Sequence, residues 1–205
     1  LPFYEPHLEK TLGLALRRGL EITDSIATIV KNCQIIFVTV GTPQSDDGSI
    51  NLSMIKSVFV EIGKQLKETK NKPIIVIKST VVPGTSLNVL LPILLNRSRK
   101  KLGKDFGLIT NPEFLREGMA INDTTNPHVV VLGGTKDRFM DMIKRFYESL
   151  HRSTPIIITN NPAITLLNII WSSVLGNIDV NIIRNFIVYF NPFFNIVNQL
   201  LLCLH

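Results

Sequence analysis

The chain has 205 residues, a formal net charge of +6 and 45% hydrophobic residues, which is enough to bury a sizeable core in one large or two small domains. Its one basic cluster, Arg97-Ser98-Arg99-Lys100-Lys101, has no aromatic residues interleaved with it, so we discount nucleic acid as a partner. The sequence predicts no signal peptide, and its two cysteines lack the spacing of a metal site or a disulfide framework, which favours a reducing, cytoplasmic location.

Helical and strand patterns alternate along the first 159 residues. Period-3.6 apolar patterns predict six helices: Glu5–Arg18, a helix capped by Asp24 or Ser25 and ending near Asn32, Leu52–Glu68, Val89–Leu95, Glu113–Ile121 and Asp137–Leu150. Short apolar, β-branched runs predict six strands: Leu20–Thr23, Gln34–Val40, Pro73–Lys78, Phe106–Thr110, Val129–Leu132 and Pro155–Thr159. This alternation predicts an α/β fold with a doubly wound parallel sheet.

Three polar motifs follow predicted strands directly. They are Gly41-Thr42-Pro43, Ser79-Thr80, and the octet from Asn111 to Gly118, whose sequence is Asn-Pro-Glu-Phe-Leu-Arg-Glu-Gly. Ligands of open α/β sheets bind beyond the carboxyl ends of the strands. The sequence therefore predicts a ligand site at this edge, although the motifs taken alone name no reaction.

The octet carries two carboxylates at helical spacing. Glu113 and Glu117 are four residues apart, which places both on one face of the predicted helix, with Arg116 beside them. Such a group could perform general acid–base chemistry on a small polar substrate. The alternative interpretation is a capped surface helix with a solvated Glu/Arg/Glu face.

The same motifs, in the same order after Tyr4-Glu5-Pro6, carry a family resemblance. From about Pro2 to about Ile158 the chain resembles the nucleotide-sugar dehydrogenases, the NAD-dependent UDP-glucose and GDP-mannose 6-dehydrogenases. The resemblance implies a Rossmann-like domain over residues 1–159, and oxidation of the C6 alcohol of a nucleotide sugar to a carboxylate with reduction of two NAD. UDP-glucose, oxidised to UDP-glucuronate, is the preferred substrate prediction, and a homodimer is expected of the family.

The resemblance also implies roles for individual residues, and no metal site. The implied cofactor contacts are Gly41, Thr42, Pro43, Ser79, Thr80 and Glu117. The implied catalytic residues are Thr80, Glu113 and Glu117. The implied lining of the sugar-nucleotide pocket is Glu113, Phe114, Leu115 and Arg116. Structural alternatives stay open, since Ser79 and Thr80 could close a turn and Phe114 and Leu115 could be core residues.

Several family features have no counterpart in the sequence. No G-x-G-x-x-G turn is present, which is the element that brings backbone N–H groups to a dinucleotide pyrophosphate. The family's central Lys and Asn fall on Asn168 and Ser172, and its nucleophilic Cys is not matched by Cys203. We therefore expect a fragment that is inactive by itself; the alternative is a non-catalytic remnant or binding module of the family.

Residues 160–205 differ in composition from the rest of the chain. They contain only two charged residues, Asp179 and Arg184, and are dense in Ile, Asn, Leu and Phe. Three interpretations are an interdomain or dimer helix, a membrane segment, and the product of decay or a frame change. Polar interruptions such as Asn191 and Pro192 argue against membrane insertion. We predict an apolar helical tail at the position of the family's central interdomain helix, degenerate through decay or a frame change.

Overall fold

Six strands form one sheet in the computed structural model, which describes residues 4–82, 84–113, 115–116, 118–159 and the backbone of 202–204. The strand order across the sheet is β5-β4-β3-β2-β1-β6. The strands are β1 (Ile35–Val38), β2 (Ile74–Ile77), β3 (Gly107–Thr110), β4 (Val130–Gly133), β5 (Ile156–Thr159) and β6 (Leu202–Leu204). Five of the six predicted strands are thereby confirmed, with no end shifted by more than two residues.

The direction of the strands divides the sheet into two parts. β1, β2 and β3 run parallel to one another, and β4 runs parallel to β5. β4 runs antiparallel to β3 through the pair Thr110 and Gly133, so the sheet is mixed. The expectation that every strand runs parallel is wrong for β4 and β5, because an apolar run specifies burial and not direction.

The described residues before β5 contain six α-helices. They are α1 (Leu8–Arg17), α2 (Ile26–Asn32), α3 (Ser53–Glu68), α4 (Leu91–Ser98), which continues a π-helical turn over Ser86–Leu90, α5 (Ala120–Thr125) and α6 (Arg138–Leu150). Of the two candidate caps predicted for α2, Ser25 is confirmed, and Asp137, predicted as the first residue of its helix, is the cap of α6. The Ser25 hydroxyl accepts a hydrogen bond from the Thr28 N–H, and the Asp137 carboxylate accepts from the Phe139 and Met140 N–H groups.

The sheet buries apolar side chains on both faces, as a doubly wound sheet must. Alternate residues of β1 separate the two layers: Ile36 and Val38 pack in the layer that includes helices α2, α3 and α4, whereas Ile35 and Phe37 pack in the layer that includes α6. All four residues of each strand from β1 to β4 are buried. The α/β, doubly wound, Rossmann-like fold class is confirmed.

The predicted helix Glu113–Ile121 is wrong, because helix α5 begins at Ala120. Gly118 has a φ of 76°, in the left-handed region that interrupts a right-handed helix. The Arg116 N–H donates to the Asp123 carboxylate and the Gly118 N–H donates to the Glu5 carboxylate. In a helix both would donate to backbone carbonyls one turn earlier. The described residues of the octet, 111–113, 115–116 and 118, are therefore not helical. Glu117 lies outside the described residues, so its placement on one face with Glu113 stays a prediction.

One other predicted element, the strand Leu20–Thr23, is absent from the described residues. Residues 20–23 form no strand; Ile22 is 68% exposed, and Thr23 accepts a hydrogen bond from the Ser25 N–H instead of pairing in a sheet. The predicted helical tail lies largely outside the described residues. Its last described part, β6, is a strand that pairs antiparallel with β1.

Three further observations concern the described residues. Cys33 is buried and disulfide-bonded, which the spacing of the two cysteines did not predict. No helix in these ranges combines the length and apolarity that a membrane span requires. Across residues 4–159, apart from the positions left undescribed, no cluster of three or more His, Cys, Asp or Glu side chains could hold a metal ion.

Gly107 allows helix α6 to pack closely on strand β3, and this packing is testable. A Cβ at Gly107 would lie 2.5 Å from the Phe139 Cβ. We expect Gly107→Ala to lower the free energy of unfolding by about 1–3 kcal/mol, since an extra methyl in a packed core forces neighbours apart.

Gly13→Ala is the matched control for this substitution. Gly13 lies inside helix α1, and a Cβ at this position would lie 3.8 Å from its nearest neighbour, the Arg17 guanidinium. We expect this change to raise stability by up to about 1 kcal/mol through helix propensity. Chemical denaturation measures both, and equal effects of the two changes would contradict the packing described.

Candidate functional site

The carboxyl ends of β1, β2 and β3 meet at one edge of the sheet because these strands are parallel and adjacent. Each strand continues into one of the three polar motifs. The structure therefore brings Thr42, Thr80 and Glu113 to the same edge. This is the edge where open α/β sheets bind ligands.

Side-chain hydrogen bonds tie the end of β1 to the end of β2. The Thr42 hydroxyl donates to the Thr80 carbonyl at 2.6 Å, and the Ser79 hydroxyl donates to the Val40 carbonyl at 2.6 Å. Ser79 is buried and Thr80 is exposed. Ser79 thus closes the junction between the strands, whereas Thr80 remains accessible to a ligand.

Asn111 holds the end of β3 in place. Its N–H donates to the Ile77 carbonyl at 2.8 Å, which extends the pairing of β3 with β2. Its side-chain nitrogen donates to the Val131 carbonyl at 2.9 Å. Its side-chain oxygen accepts from the Lys78 ammonium at 3.1 Å and from the Tyr147 hydroxyl. The buried amide therefore links strands β2 and β4 and helix α6.

Glu113 follows this anchor by two residues and is partly buried. Burial raises the pKa of its carboxyl group to about 7, and the nearby positive charge of Lys78 opposes that rise. The pKa of Lys78 is lowered by burial, and the Glu113 carboxylate opposes that shift. A carboxyl group with a pKa near 7 is suited to take up and release protons at neutral pH.

The far end of the octet is held by Glu5, from the Tyr4-Glu5-Pro6 motif. Its carboxylate accepts from the Gly118 N–H at 3.0 Å and from the Ile121 N–H at 3.4 Å. Glu5 is 5% exposed, and its negative charge lies at the N-terminus of helix α5. The motif therefore has a structural role here, holding a segment more than 100 residues further along the chain.

Arg116 is tied to the surface of the protein. Its guanidinium donates to both carboxylate oxygens of Asp123, at 2.7 and 3.0 Å, and its side chain is 60% exposed. This pair raises the pKa of Arg116 and lowers that of Asp123. Leu115 is half-buried, whereas Phe114 and Glu117 lie outside the described residues. The substrate-contact role of Arg116 stays a prediction.

The sequence interpretation gave no role to three residues of this site: Glu5, Lys78 and Tyr147. Lys78 carries a visible signal, a charged residue that directly follows the apolar strand Ile74–Ile77. Tyr147 is a polar aromatic residue on the buried face of helix α6. The contact of Glu5 with the octet has no local signal, because its partners lie far away in sequence.

The comparisons with known proteins agree with this architecture. Residues 1–151 match the model of the UDP-glucose/GDP-mannose dehydrogenase family, NAD binding domain. The chain belongs to this family. The family prediction is therefore confirmed, and so is NAD as the cofactor of the domain to which these residues correspond.

Individual relatives support the assignment. The GDP-mannose 6-dehydrogenase of Pseudomonas putida is 41% identical over 157 residues, which cover 76% of this chain and 35% of that protein. The putative UDP-glucose 6-dehydrogenase YtcA of Bacillus subtilis is 34% identical over 163 residues, covering 78% of this chain and 36% of that protein. The chain thus spans about a third of the length of these relatives.

Solved structures of the family share the fold. A ternary complex of GDP-mannose dehydrogenase from Pseudomonas aeruginosa has a TM-score of 0.78 and 34% identity, covering 84% of this chain and 40% of that one. A UDP-glucose dehydrogenase from Pyrobaculum islandicum has a TM-score of 0.74 and 30% identity, and the match covers 80% of this chain and 37% of that one.

The residues at the strand ends fit one part of a dinucleotide. Gly41 is buried just after β1, and the Thr42 hydroxyl that follows it is hydrogen-bonded to the exposed Thr80. The described residues include no G-x-G-x-x-G turn opening a helix, which is the element that holds the pyrophosphate in dinucleotide folds. The site is thus suited to contact the cofactor without providing that turn.

The Glu5 contact can be tested by substitution. We expect Glu5→Ala to lower the free energy of unfolding by about 1–3 kcal/mol, because the N–H groups of Gly118 and Ile121 lose their acceptors. Glu5→Gln keeps one acceptor oxygen and should cost less. Urea denaturation of the two variants measures this order. A Glu5→Ala protein as stable as the wild type would contradict the contact.

Proposed function

We propose that these residues serve as the NAD-binding part of a nucleotide-sugar 6-dehydrogenase, which oxidises the C6 alcohol of the sugar to a carboxylate. The observation that carries the proposal is the family match over residues 1–151. The partly buried Glu113, at the edge where β1, β2 and β3 end, supports it because a proton acceptor is needed there.

The proposed substrate is GDP-mannose, with UDP-glucose as the second candidate. The named relatives with 38–41% identity are GDP-mannose 6-dehydrogenases, whereas those named UDP-glucose 6-dehydrogenases are 34% and 35% identical. The sequence-based preference for UDP-glucose rested on no residue that distinguishes the two sugars. Identity over some 160 residues is the broader basis for the choice.

The proposed roles follow the geometry of the strand ends. NAD supplies the hydride acceptor for both oxidation steps when it is bound. Thr42 and Thr80, together with Gly41, Pro43 and Ser79, form the surface that the cofactor would contact. Glu113, with a pKa near 7, takes up a proton released from the C6 hydroxyl or from water and returns it to solvent. Glu117, Phe114, Leu115 and Arg116 remain proposed contacts of cofactor or substrate.

An inactive remnant is the second candidate function. The 205 residues hold no glycine-rich turn, and Cys33 is buried and disulfide-bonded. A thiol step needs an accessible thiolate. We therefore propose that a polypeptide of these 205 residues gives no turnover by itself.

A chimera tests the proposed function. Residues 1–151 would replace the matching segment of the GDP-mannose 6-dehydrogenase of Pseudomonas putida, and NADH formation would be followed with GDP-mannose and with UDP-glucose. We expect turnover with GDP-mannose. Glu113→Gln in the chimera should reduce kcat by about 100-fold or more, the contribution of a general acid–base.

The controls separate the outcomes. The 205-residue chain alone is the negative control, and Lys144→Gln, which removes one half of an exposed ion pair on helix α6, is the matched control that should leave kcat unchanged. A soluble chimera that binds NAD yet turns over neither sugar would contradict the proposed function. Full activity of the Glu113→Gln chimera would remove the role given to Glu113.

A further inference from the structure

Lys78 is the partly buried cation of the site, and neither the family match nor the proposed roles account for it. It directly follows strand β2, whose four residues are all buried, and it is itself mostly covered. Lysine is almost never buried without a partner. Among the described residues no carboxylate lies within the 4.0 Å of an ion pair with its ammonium group.

The single side-chain hydrogen bond of Lys78 within the described residues goes to the site itself. Its ammonium donates to the Asn111 side-chain oxygen at 3.1 Å. An ammonium group has three donors, so two remain without a protein acceptor in the described part of the chain. Burial lowers the pKa of Lys78, because loss of hydration disfavours the charged form.

Glu113, like Lys78, is a partly buried charged residue without an ion-pair partner among the described residues. Its carboxylate accepts no hydrogen bond and forms no ion pair among the described residues, although it is partly buried. Lys78 is the charged group that interacts with it electrostatically, beyond ion-pair distance. Tyr147, on helix α6, is the other titratable side chain that donates a hydrogen bond to Asn111. Burial raises the pKa of Tyr147, so its hydroxyl stays neutral at neutral pH.

We propose that Lys78 is a positioning residue for Glu113: it supplies the counter-charge of the Glu113 carboxylate, and it holds the Asn111 side chain from which the Glu113 segment leaves the sheet. The inference deepens the proposed function, on which its catalytic meaning rests. With Lys78 charged, Glu113 can exist as a carboxylate in a position that would otherwise keep it protonated.

The two ways in which Lys78 could act are separable by mutation. Tyr147 donates to the same Asn111 oxygen as Lys78 but carries no charge at neutral pH. Tyr147→Phe therefore weakens the hold on Asn111 and leaves the counter-charge in place. Lys78→Gln removes the charge but keeps a hydrogen-bond donor, on a shorter side chain. Lys78→Arg keeps the charge.

The test is a carbon-13 NMR titration of glutamate carboxyl groups in the 205-residue chain, with the Glu113 signal assigned from its absence in Glu113→Gln. In the unsubstituted chain the pKa of Glu113 is expected near 7. Lys78→Gln and Lys78→Met should each raise it by about one unit or more. Lys78→Arg and Tyr147→Phe should leave it within about 0.3 units of the unsubstituted value.

An unchanged or lowered pKa of Glu113 in a folded Lys78→Gln or Lys78→Met protein would overturn the proposal. So would an equal rise in Tyr147→Phe, because the effect would then come from Asn111 and not from charge. Lys78→Gln keeps a polar group at this position, so the test remains available if Lys78→Met does not fold.

The titration needs neither cofactor nor substrate, which separates its failure from that of the proposed function. A raised pKa of Glu113 in Lys78→Gln, together with an inactive chimera, would support the coupling and reject the enzyme assignment. In an active chimera, Lys78→Gln should move the acidic limb of the kcat–pH profile to higher pH by the same amount as the NMR value. An unmoved limb would contradict the proposed link to Glu113.

Discussion

The buried amide of Asn111 joins three elements that have no other polar link at this edge of the sheet among the described residues. Its hydrogen bonds reach the end of β2, the middle of β4 and the inner face of α6. Leaving any one of these buried groups unpaired would cost about 1–3 kcal/mol. The path of the chain after β3, and hence the position of Glu113, depends on this side chain.

Because β4 runs antiparallel to β3, the chain that leaves β3 can contact β4. The carboxyl ends of β3 and β4 meet at Thr110 and Gly133, and Asn111 then contacts the Val131 carbonyl. Asn111 therefore lies beside β4, and further along the chain Glu5 holds Gly118. An irregular segment fixed at both ends can carry a carboxylate in a defined position, as a catalytic group requires.

The sequence predicts the parts of this structure that depend on local pattern. Apolar runs such as Ile74–Ile77 identify buried strands, and Asp137 marks the start of helix α6 as a helix cap should. The octet was mispredicted because two of its backbone N–H groups pair with carboxylates at Glu5 and Asp123. Such contacts between distant residues leave no trace in helical periodicity, and the same is true of strand direction in β4.

The sequence predicted where the candidate site lies, but only some of the residues that form it. Polar residues after apolar strands identify the edge, because parallel strands end together. The sequence could not assign roles to Lys78, Tyr147 and Glu5, because a single charged or polar residue can have many roles. Their meaning depends on which side chains the fold brings beside them.

The conformation of the octet is the central claim of this account, and backbone NMR of the 205-residue chain tests it most directly. The amides of Asn111 and Gly118 should exchange slowly with solvent, because they donate to the Ile77 carbonyl and to Glu5. The Cα shifts of Leu115 and Arg116 should be non-helical. Helical shifts at these two residues, with a rapidly exchanging Gly118 amide, would contradict the account.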